Sequence, residues 1–370
     1  MIYLDYQATT PLASEVAKAM RPWIEEKFAN PHSPSRGGRE ADAAIEVARK
    51  QVEQAIGLSG GSLAFTGSAT EALNWAIKGT IEKSNRNRVV TVRTEHAAVL
   101  DTCEWLEGRG VEVVYLPVGP DGLLDLAEVE AAVDERTALL AVMLVNNEIG
   151  VIQPVGEISA IAHRAGALML TDAVQALGRV PISEGPDFIA VSAHKIHGPK
   201  GIGALWIRER AEPAALIHGG GQERGLRSGT LSPALCVGFG AAAKLASERR
   251  DADSEHVERL WTAAWEALGS EWILNGSPDH RYRGNLNIRR EGIDTARLIS
   301  ELRDIAFSLG SACASGSGRP SHVLRALGLS DREARSSIRI GFGRYTSEAD
   351  LVGALKRIDA AATAQENLAA

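Results

Sequence analysis

Two residues of opposite charge follow two apolar segments in the middle of the chain. Residues 187–191 lead into Lys195, and residues 167–170 lead into Asp172. Each run has the length of a buried strand, so both side chains are expected at the carboxyl ends of strands, the edge where α/β proteins bind ligands. A lysine can hold pyridoxal phosphate (PLP) as a Schiff base, while a carboxylate keeps the pyridine nitrogen protonated and the ring electron-accepting. A structural ion pair at the sheet edge is the alternative interpretation.

Three further strand–helix junctions offer polar groups at the same edge. Thr70 lies in a turn of small residues at a helix start, where free N–H groups favour a phosphate. His96 follows the strand at residues 89–93, and a histidine there suits stacking on a planar cofactor and proton transfer. Asn147 follows the apolar run 138–145. Each residue alone is also compatible with a turn or a helix cap, and their convergence is the stronger indication of one ligand site.

The last third of the chain contains candidates for thiol and carboxylate chemistry. Cys313 lies in the segment 308–318, rich in glycine, serine and alanine, and an accessible thiol there suits a nucleophile, with an ordinary exposed cysteine as the alternative. Arg339 lies within an apolar strand pattern and suits bidentate capture of a carboxylate, or else a salt bridge. The glycine-rich loop 218–230 is long enough to reach a phosphate in its own subunit or in a two-fold neighbour.

Composition excludes several classes of protein. The 370 residues carry a net charge of −7, which argues against nonspecific nucleic-acid binding. No apolar run approaches the ~20 residues of a membrane helix, and the N-terminal residues lack the pattern of a secretory signal. The three cysteines are far apart in sequence and form no metal-binding or disulfide spacing, so a reducing cytoplasm is the expected compartment.

The order of predicted elements indicates two domains. Strands alternate with helices through the first two thirds, which predicts an α/β fold with a mostly parallel, doubly wound sheet. We expect a large domain at residues 14–254 and a smaller α+β domain formed by residues 1–13 and 255–370. Two consecutive helices, at residues 233–249 and 254–268, are predicted around this boundary.

Six short motifs distributed over nearly the whole chain carry a specific resemblance. They are Leu4-Asp5-Tyr6-Gln7-Ala8-Thr9-Thr10-Pro11, Thr94-Glu95-His96, Val145-Asn146-Asn147-Glu148-Ile149-Gly150, Ser192-Ala193-His194-Lys195, Arg227-Ser228-Gly229-Thr230 and Gly310-Ser311-Ala312-Cys313. The chain resembles the cysteine desulfurases of the NifS/IscS type, which are fold-type-I PLP enzymes. It differs from family members with a longer C-terminal tail that docks an iron–sulfur scaffold, because only about ten residues follow the last predicted helix, expected to end near Ala360.

The resemblance implies a role for each candidate site residue. Lys195 would carry PLP and move the substrate α-proton, His96 would stack on the ring and assist proton transfer, and Arg339 would bind the carboxylate of L-cysteine. The remaining contacts would come from Asp172 at the pyridine nitrogen, Gln175 and Asn147 at the ring hydroxyl (Asn147 also near the substrate), and Ala69, Thr70, Ser192, His194 and a second subunit's Thr230 at the phosphate.

The resemblance also implies the reaction and its partners. Cys313 would take the sulfur atom of L-cysteine as a persulfide, leaving L-alanine, and pass it to a protein acceptor, either an iron–sulfur scaffold or a sulfur carrier. The expected protein is a cytoplasmic homodimer that needs no metal, nucleic acid or membrane. Two alternatives stay open: a related PLP lyase or aminotransferase, which would not need Cys313, and a cofactor-free sulfur-relay subunit, which intact Lys195 and Asp172 disfavour.

Overall fold

The computed structural model describes residues 1–309 and 320–369. Within these ranges the chain forms thirteen strands and eleven α-helices. The strands are β1 Ile2–Tyr3, β2 Gly61–Thr66, β3 Arg88–Val92, β4 Glu112–Leu116, β5 Thr137–Ala141, β6 Leu168–Asp172, β7 Phe188–Ser192, β8 Gly203–Arg208, β9 Ile273–Leu274, β10 Asn285–Arg289, β11 Ile305–Ala306, β12 Ser308–Leu309 and β13 Ser337–Gly341. The helices are α1 Ser14–Glu25, α2 Arg36–Ile56, α3 Ala69–Lys83, α4 Ala97–Glu107, α5 Leu126–Ala132, α6 Val155–Arg164, α7 Pro233–Ala267, α8 Thr295–Glu301, α9 His322–Ala326, α10 Asp331–Arg335 and α11 Glu348–Ala369.

A seven-stranded sheet in the order β2-β8-β7-β6-β5-β3-β4 forms the centre of the larger unit. All neighbouring pairs are parallel except those of β8, which runs antiparallel to both β2 and β7. The prediction of a mostly parallel α/β sheet is therefore confirmed. Parallel strands need crossover connections, which helices supply except between β6 and β7, where residues 173–187 form turns. All the parallel strands end at the same edge.

The strands of this sheet are buried on both faces. In β7, Ile189 and Val191 pack against the layer that contains α2, α6 and α7, while Phe188 and Ala190 pack against α3 and α4. This alternation follows from the two-residue period of a strand, and it explains why the strand reads as a continuous apolar run. The helices thus sandwich the sheet and hold its strand ends rigidly.

A second sheet, in the order β12-β13-β10-β9, is antiparallel and has its own apolar core. Its apolar face, which carries Leu286, Ile288, Ile338 and Ile340, packs against α11 and the C-terminal half of α7. The short strand β1 pairs in parallel with β11, and Leu4 joins this second core. The N-terminal residues therefore lie beside the last third of the chain.

Three sequence-based boundaries were wrong. The two helices predicted at 233–249 and 254–268 form the single helix α7, because the residues between them contain neither proline nor glycine and Arg249 pairs with Asp253 one turn on. The strand predicted at 138–145 ends at Ala141, and the chain then turns into the loop that carries Asn147. The last helix continues to Ala369, beyond the predicted end near Ala360.

Candidate active site

The carboxyl edge of the large sheet borders a cleft of about 680 Å³. The residues that line it include ten of the predicted site residues, namely Ala69, Thr70, His96, Asn147, Asp172, Gln175, Ser192, His194, Lys195 and Arg339. Their positions follow from the fold, because each lies at or just after a strand end, at the start of α3 or α4, or on the second sheet. A volume of this size is typical of a small-molecule or cofactor site.

Lys195 ends a short 3₁₀ turn, Ala193–Lys195, directly after β7. Its Nζ donates hydrogen bonds to the backbone carbonyls of Gln7, at 2.5 Å, and Ala8, at 2.8 Å. Burial lowers the pKa of Lys195 to about 8, and the guanidinium groups of Arg179 and Arg339 contribute further to the decrease. A lysine with a lowered pKa supplies the neutral amine that nucleophilic attack on a carbonyl requires.

Asp172 is the last residue of β6, and its carboxylate is buried. One oxygen, Oδ1, accepts a hydrogen bond from the N–H of Val174 at 2.8 Å. Among the described residues, the other oxygen has no hydrogen-bond donor. Burial raises the pKa of Asp172, while His96 and Lys195 act in the opposite direction. The free oxygen is suited to accept a hydrogen bond from a protonated ring nitrogen.

His96 is the N-cap of α4, and its Nδ1 accepts a hydrogen bond from the N–H of Ala98 at 3.0 Å. Burial lowers its pKa, so the ring is neutral near pH 7. Because Nδ1 is the acceptor, the single proton of the neutral ring is assigned to Nε2. His96 thus presents a ring with one N–H donor at the cleft.

The first turn of α3 offers an anion site at the same cleft. Ser68 caps this helix by accepting a hydrogen bond from the N–H of Glu71, which leaves the first N–H groups, those of Ala69 and Thr70, without intrahelical partners. Backbone of β8 lies close to this turn, because a Cβ added at Gly203 would come within 2.6 Å of the Ala69 nitrogen. Free N–H groups and the positive end of the helix dipole favour a phosphate here.

Arg339 projects from β13 and is almost completely buried. Its Nη2 donates to Asp5 Oδ1 at 2.8 Å, and its Nη1 donates to the carbonyl of Asn147 at 3.0 Å. The salt bridge considered from the sequence is thus present, at a residue that also lines the cleft. The Nε of Arg339 has no acceptor among the described residues.

Gln175 and His194 are held by groups beside the cleft. Gln175 Nε2 donates to the carbonyl of Gln7 at 2.9 Å, and Gln175 Oε1 accepts from Arg179. His194 Nδ1 lies 3.1 Å from Thr9 Oγ1. Burial lowers the pKa of His194 to about 4, so its ring is neutral and can act as a hydrogen-bond donor or acceptor without adding charge.

These residues fit PLP. Lys195 supplies the amine, the free oxygen of Asp172 suits the pyridinium N–H, and the first turn of α3 suits the phosphate. A buried acceptor at the cleft, Gln7 Oε1, also has no donor among residues 1–309 and 320–369. The cleft therefore combines adequate volume with unpaired groups of the chemistry that this cofactor needs.

The remaining two predicted site residues are Thr230 and Cys313. Thr230 is exposed on the loop between β8 and α7 and does not line the cleft of its own chain. Cys313 lies outside the described residues. The other two cysteines, Cys103 and Cys236, are buried in the packing layers on opposite faces of the large sheet.

Sequence reasoning missed several residues that shape the site. The carbonyls of Gln7 and Ala8 contact Lys195, and no side-chain pattern indicates a carbonyl contact over so long a sequence separation. Glu148 and His322 also line the cleft: Glu148 accepts a hydrogen bond from Ser321, and His322 Nε2 contacts the carbonyl of Glu95 at 2.9 Å. Gln7 and Glu148 both lie within motifs that carry the family resemblance, and this was the signal in the sequence that could have identified them.

Comparison with known proteins agrees with this geometry. Residues 2–353 match the class-V aminotransferase family. The chain belongs to this family. Within it, the chain is 46% identical to the cysteine desulfurase IscS of Rickettsia bellii (strain OSU 85-389), over 96% of this chain and 90% of that protein, and 44% identical to the IscS of Rickettsia akari (strain Hartford), over 95% and 88%.

Solved structures place this class-V family member among the NifS-like proteins. A structure described as a NifS-like protein has a TM-score of 0.91 and 34% identity, covering 98% of this chain and 99% of that one. SspA in complex with cysteine has a TM-score of 0.83 and 35% identity, covering 94% and 100%. The chain is thus a fold-type-I member of the cysteine desulfurase group. Among its described residues, no helix has the length and apolarity to cross a bilayer.

Proposed function

We propose that the chain is a PLP-dependent L-cysteine desulfurase that transfers sulfur to Cys313. The observation that carries the proposal is the convergence of Lys195, Asp172 and the first turn of α3 on one cleft in a chain of this family. When bound, PLP would be held by Lys195 and would withdraw electrons from the α-carbon of the substrate.

Lys195 and His96 would move the protons of the reaction. A pKa of about 8 leaves part of Lys195 unprotonated near neutral pH, so its Nζ could remove the substrate α-proton and return it. His96 has its proton on Nε2, since Nδ1 is occupied by the N–H of Ala98. His96 is therefore positioned to donate a proton and to recover it at the same atom.

The second sheet would hold the substrate carboxylate. Arg339 lines the cleft from the middle of β13, while Asn147 beside it contributes a side-chain amide. Asp5 already occupies one donor nitrogen of Arg339. The substrate carboxylate would share the guanidinium with Asp5 or displace it.

Cys313 would receive the sulfur atom. Its thiolate attacks the sulfur of L-cysteine, an S–S bond forms as the Cβ–S bond breaks, and the carbon skeleton leaves as L-alanine after protonation. Burial raises the pKa values of Cys103 and Cys236 to about 12, so both remain protonated thiols. This supports Cys313 as the residue that supplies the thiolate.

The persulfide would be passed to an iron–sulfur scaffold or a sulfur-carrier protein in a reducing, cytoplasmic setting. The proposed enzyme is a homodimer in which the second subunit's Thr230 completes the phosphate site. The exposure of Thr230, and its absence from the cleft of its own chain, support this arrangement.

The decisive experiment follows L-alanine and protein-bound persulfide from L-cysteine. We expect equimolar L-alanine and persulfide in a single turnover, no product from Lys195→Ala, and bound PLP but no persulfide from Cys313→Ser. Cys103→Ala is the matched control, because it removes a buried thiol and should leave both products unchanged.

The alternatives give different results. Release of a keto acid without persulfide would identify a lyase or an aminotransferase. Failure to bind PLP would leave only the sulfur-relay alternative. Persulfide formation at an unchanged rate in Cys313→Ser would refute the role assigned to Cys313.

A further inference from the structure

A second, much smaller cavity of about 40 Å³ lies between the turn that carries Lys195, the middle of α7 and the segment after β13. Four basic residues line it, namely Arg179, Lys195, Arg250 and Arg344, together with one carboxylate, Asp253. The main cleft shares only Lys195 with this cavity. It is therefore a separate compartment with an excess of positive charge.

The single carboxylate is already shared. Arg344 Nε and Nη2 both lie 2.7 Å from Asp253 Oδ2, and Arg249 Nε donates to Asp253 Oδ1 at 3.3 Å. Arg179 donates to the side chain of Gln175 and, at 2.7 Å, to the carbonyl of Lys195. Among the described residues Arg179 has no acidic partner. The guanidinium groups of Arg179 and Arg344 thus face one carboxylate that is already shared, while the half-exposed Arg250 lies 3.8 Å from Asp251.

Arg344 also has an unpaired donor. Its side chain is only 5% exposed, and its Nη1 is buried with no acceptor among the described residues. Buried charged donors are normally satisfied by a protein group, a water molecule or an ion, because leaving one unpaired costs free energy. His197 also lines the cavity, and its Nδ1 donates to the carbonyl of Pro11 at 2.9 Å. Burial and the nearby Arg344 lower the pKa of His197 to about 4, so the neutral ring does not change the balance of charge in the cavity.

We propose that this cavity binds one small monovalent inorganic anion, with chloride as the physiological one, against Arg344 Nη1. The volume accommodates only a few water-sized particles, which favours a small anion over organic anions and phosphate esters. Water would satisfy the hydrogen bond of Arg344 but would leave the excess positive charge in a low-dielectric site. An anion would accept the hydrogen bond of Arg344 and would also offset the excess positive charge. This argument holds whether or not the proposed desulfurase activity is correct.

The site has a direct connection to Lys195. Arg179 Nη2 donates to the carbonyl of Lys195, and the charge of Arg179 is among the causes that lower the pKa of Lys195. An anion beside Arg179 would offset part of that charge. Removal of chloride should therefore lower the pKa of Lys195 further.

Bromide diffraction tests the site directly. Crystals grown in gluconate salts and soaked in bromide should give one anomalous peak within hydrogen-bonding distance of Arg344 Nη1. In solution, chloride added at constant ionic strength against gluconate should raise the melting temperature in a saturable manner. A cavity that contains only water, with no bromide peak, would overturn the proposal.

Variants on α7 separate this site from general salt effects. Arg250→Gln removes a cavity charge without disturbing the Arg344–Asp253 pair, and it should weaken chloride binding at least threefold. Arg259→Gln, an exposed arginine on the same helix that does not line the cavity, should leave the binding unchanged. Arg344→Gln should abolish binding. Equal chloride responses in the wild type and in Arg250→Gln would overturn the proposal even if Arg344→Gln does not fold.

Discussion

The buried amine of Lys195 makes the stability of the PLP-free protein depend on pH in a specific direction. Its pKa falls from 10.5 in the unfolded chain to about 8 in the folded chain. Between these values the unfolded protein binds more protons than the folded protein, so the free energy of unfolding rises with pH, by up to about 1.4 kcal/mol per pH unit. The stabilisation is absent below about pH 8 and complete above about pH 10.5.

The expected magnitude follows from the same shift. A decrease of about 2.5 pKa units corresponds to about 3 kcal/mol. The entropy of unfolding, about 2.1 cal/mol/K per residue, amounts to about 0.8 kcal/mol/K for 370 residues. The penalty of burying the charged amine is therefore equivalent to about 4 °C in melting temperature.

Lys195→Met isolates this contribution because it removes the titrating group and retains a side chain of similar length. Melting temperatures of the PLP-free wild type and variant would be measured from pH 7 to pH 10.5 at constant salt. The wild type should gain about 4 °C relative to Lys195→Met over this range, although the variant also loses the hydrogen bonds to Gln7 and Ala8 at every pH.

The exposed Lys200 provides the matched control, since Lys200→Met should follow a profile parallel to that of the wild type. Other groups that titrate at high pH are common to all three proteins and cancel in the differences. Parallel profiles for the wild type and Lys195→Met would refute the argument, because they would mean that burial does not change the protonation of Lys195.

Three further substitutions test the surroundings of the site. Glu223→Gln should destabilise the protein by about 3 kcal/mol in denaturant titrations, because it removes the buried partner of Arg49 and leaves only the half-exposed Glu46 paired with that guanidinium. Asp5→Asn should lower the KM for L-cysteine about threefold with kcat unchanged, because Asp5 competes with the substrate carboxylate for Arg339; a higher KM would contradict this. Glu95→Gln should change stability at pH 7 by less than about 1 kcal/mol, because burial raises the pKa of Glu95, which disfavours its charged form, and an amide keeps an oxygen that can accept from the N–H of Met143.

The sequence was sufficient to predict the residues at the carboxyl ends of strands. Asp172 and Lys195 each follow an apolar run of strand length, and the alternation of strands with helices implies that parallel strands end at one edge. His96 was found for the same reason. The periodicity and length of an apolar run decide whether it forms a strand or a helix. The topology of the sheet then decides at which edge each strand ends.

Contacts between distant parts of the chain could not be predicted in this way. The carbonyl of Gln7 reaches Lys195 across 188 positions, and Asp5 reaches Arg339 across 334. These contacts depend on β1 pairing with β11, and a two-residue strand has too little pattern to be recognised. The continuity of α7 was not predicted because the helix links two apolar cores. Its charged residues between the cores have the composition expected of a connecting loop.

The charges around the cleft favour a ligand with two anionic ends. His96 and His194 are neutral because burial lowers their pKa values, so the histidines add no positive charge that would be lost or gained near neutral pH. Positive potential instead comes from the first turn of α3, a helix that packs on the large sheet, and from Arg339 on the second sheet. A phosphate at one and a carboxylate at the other would place the amine of Lys195 between them. This arrangement suits an amino acid attached to PLP better than either molecule alone, because only the joined pair satisfies both positive sites at once.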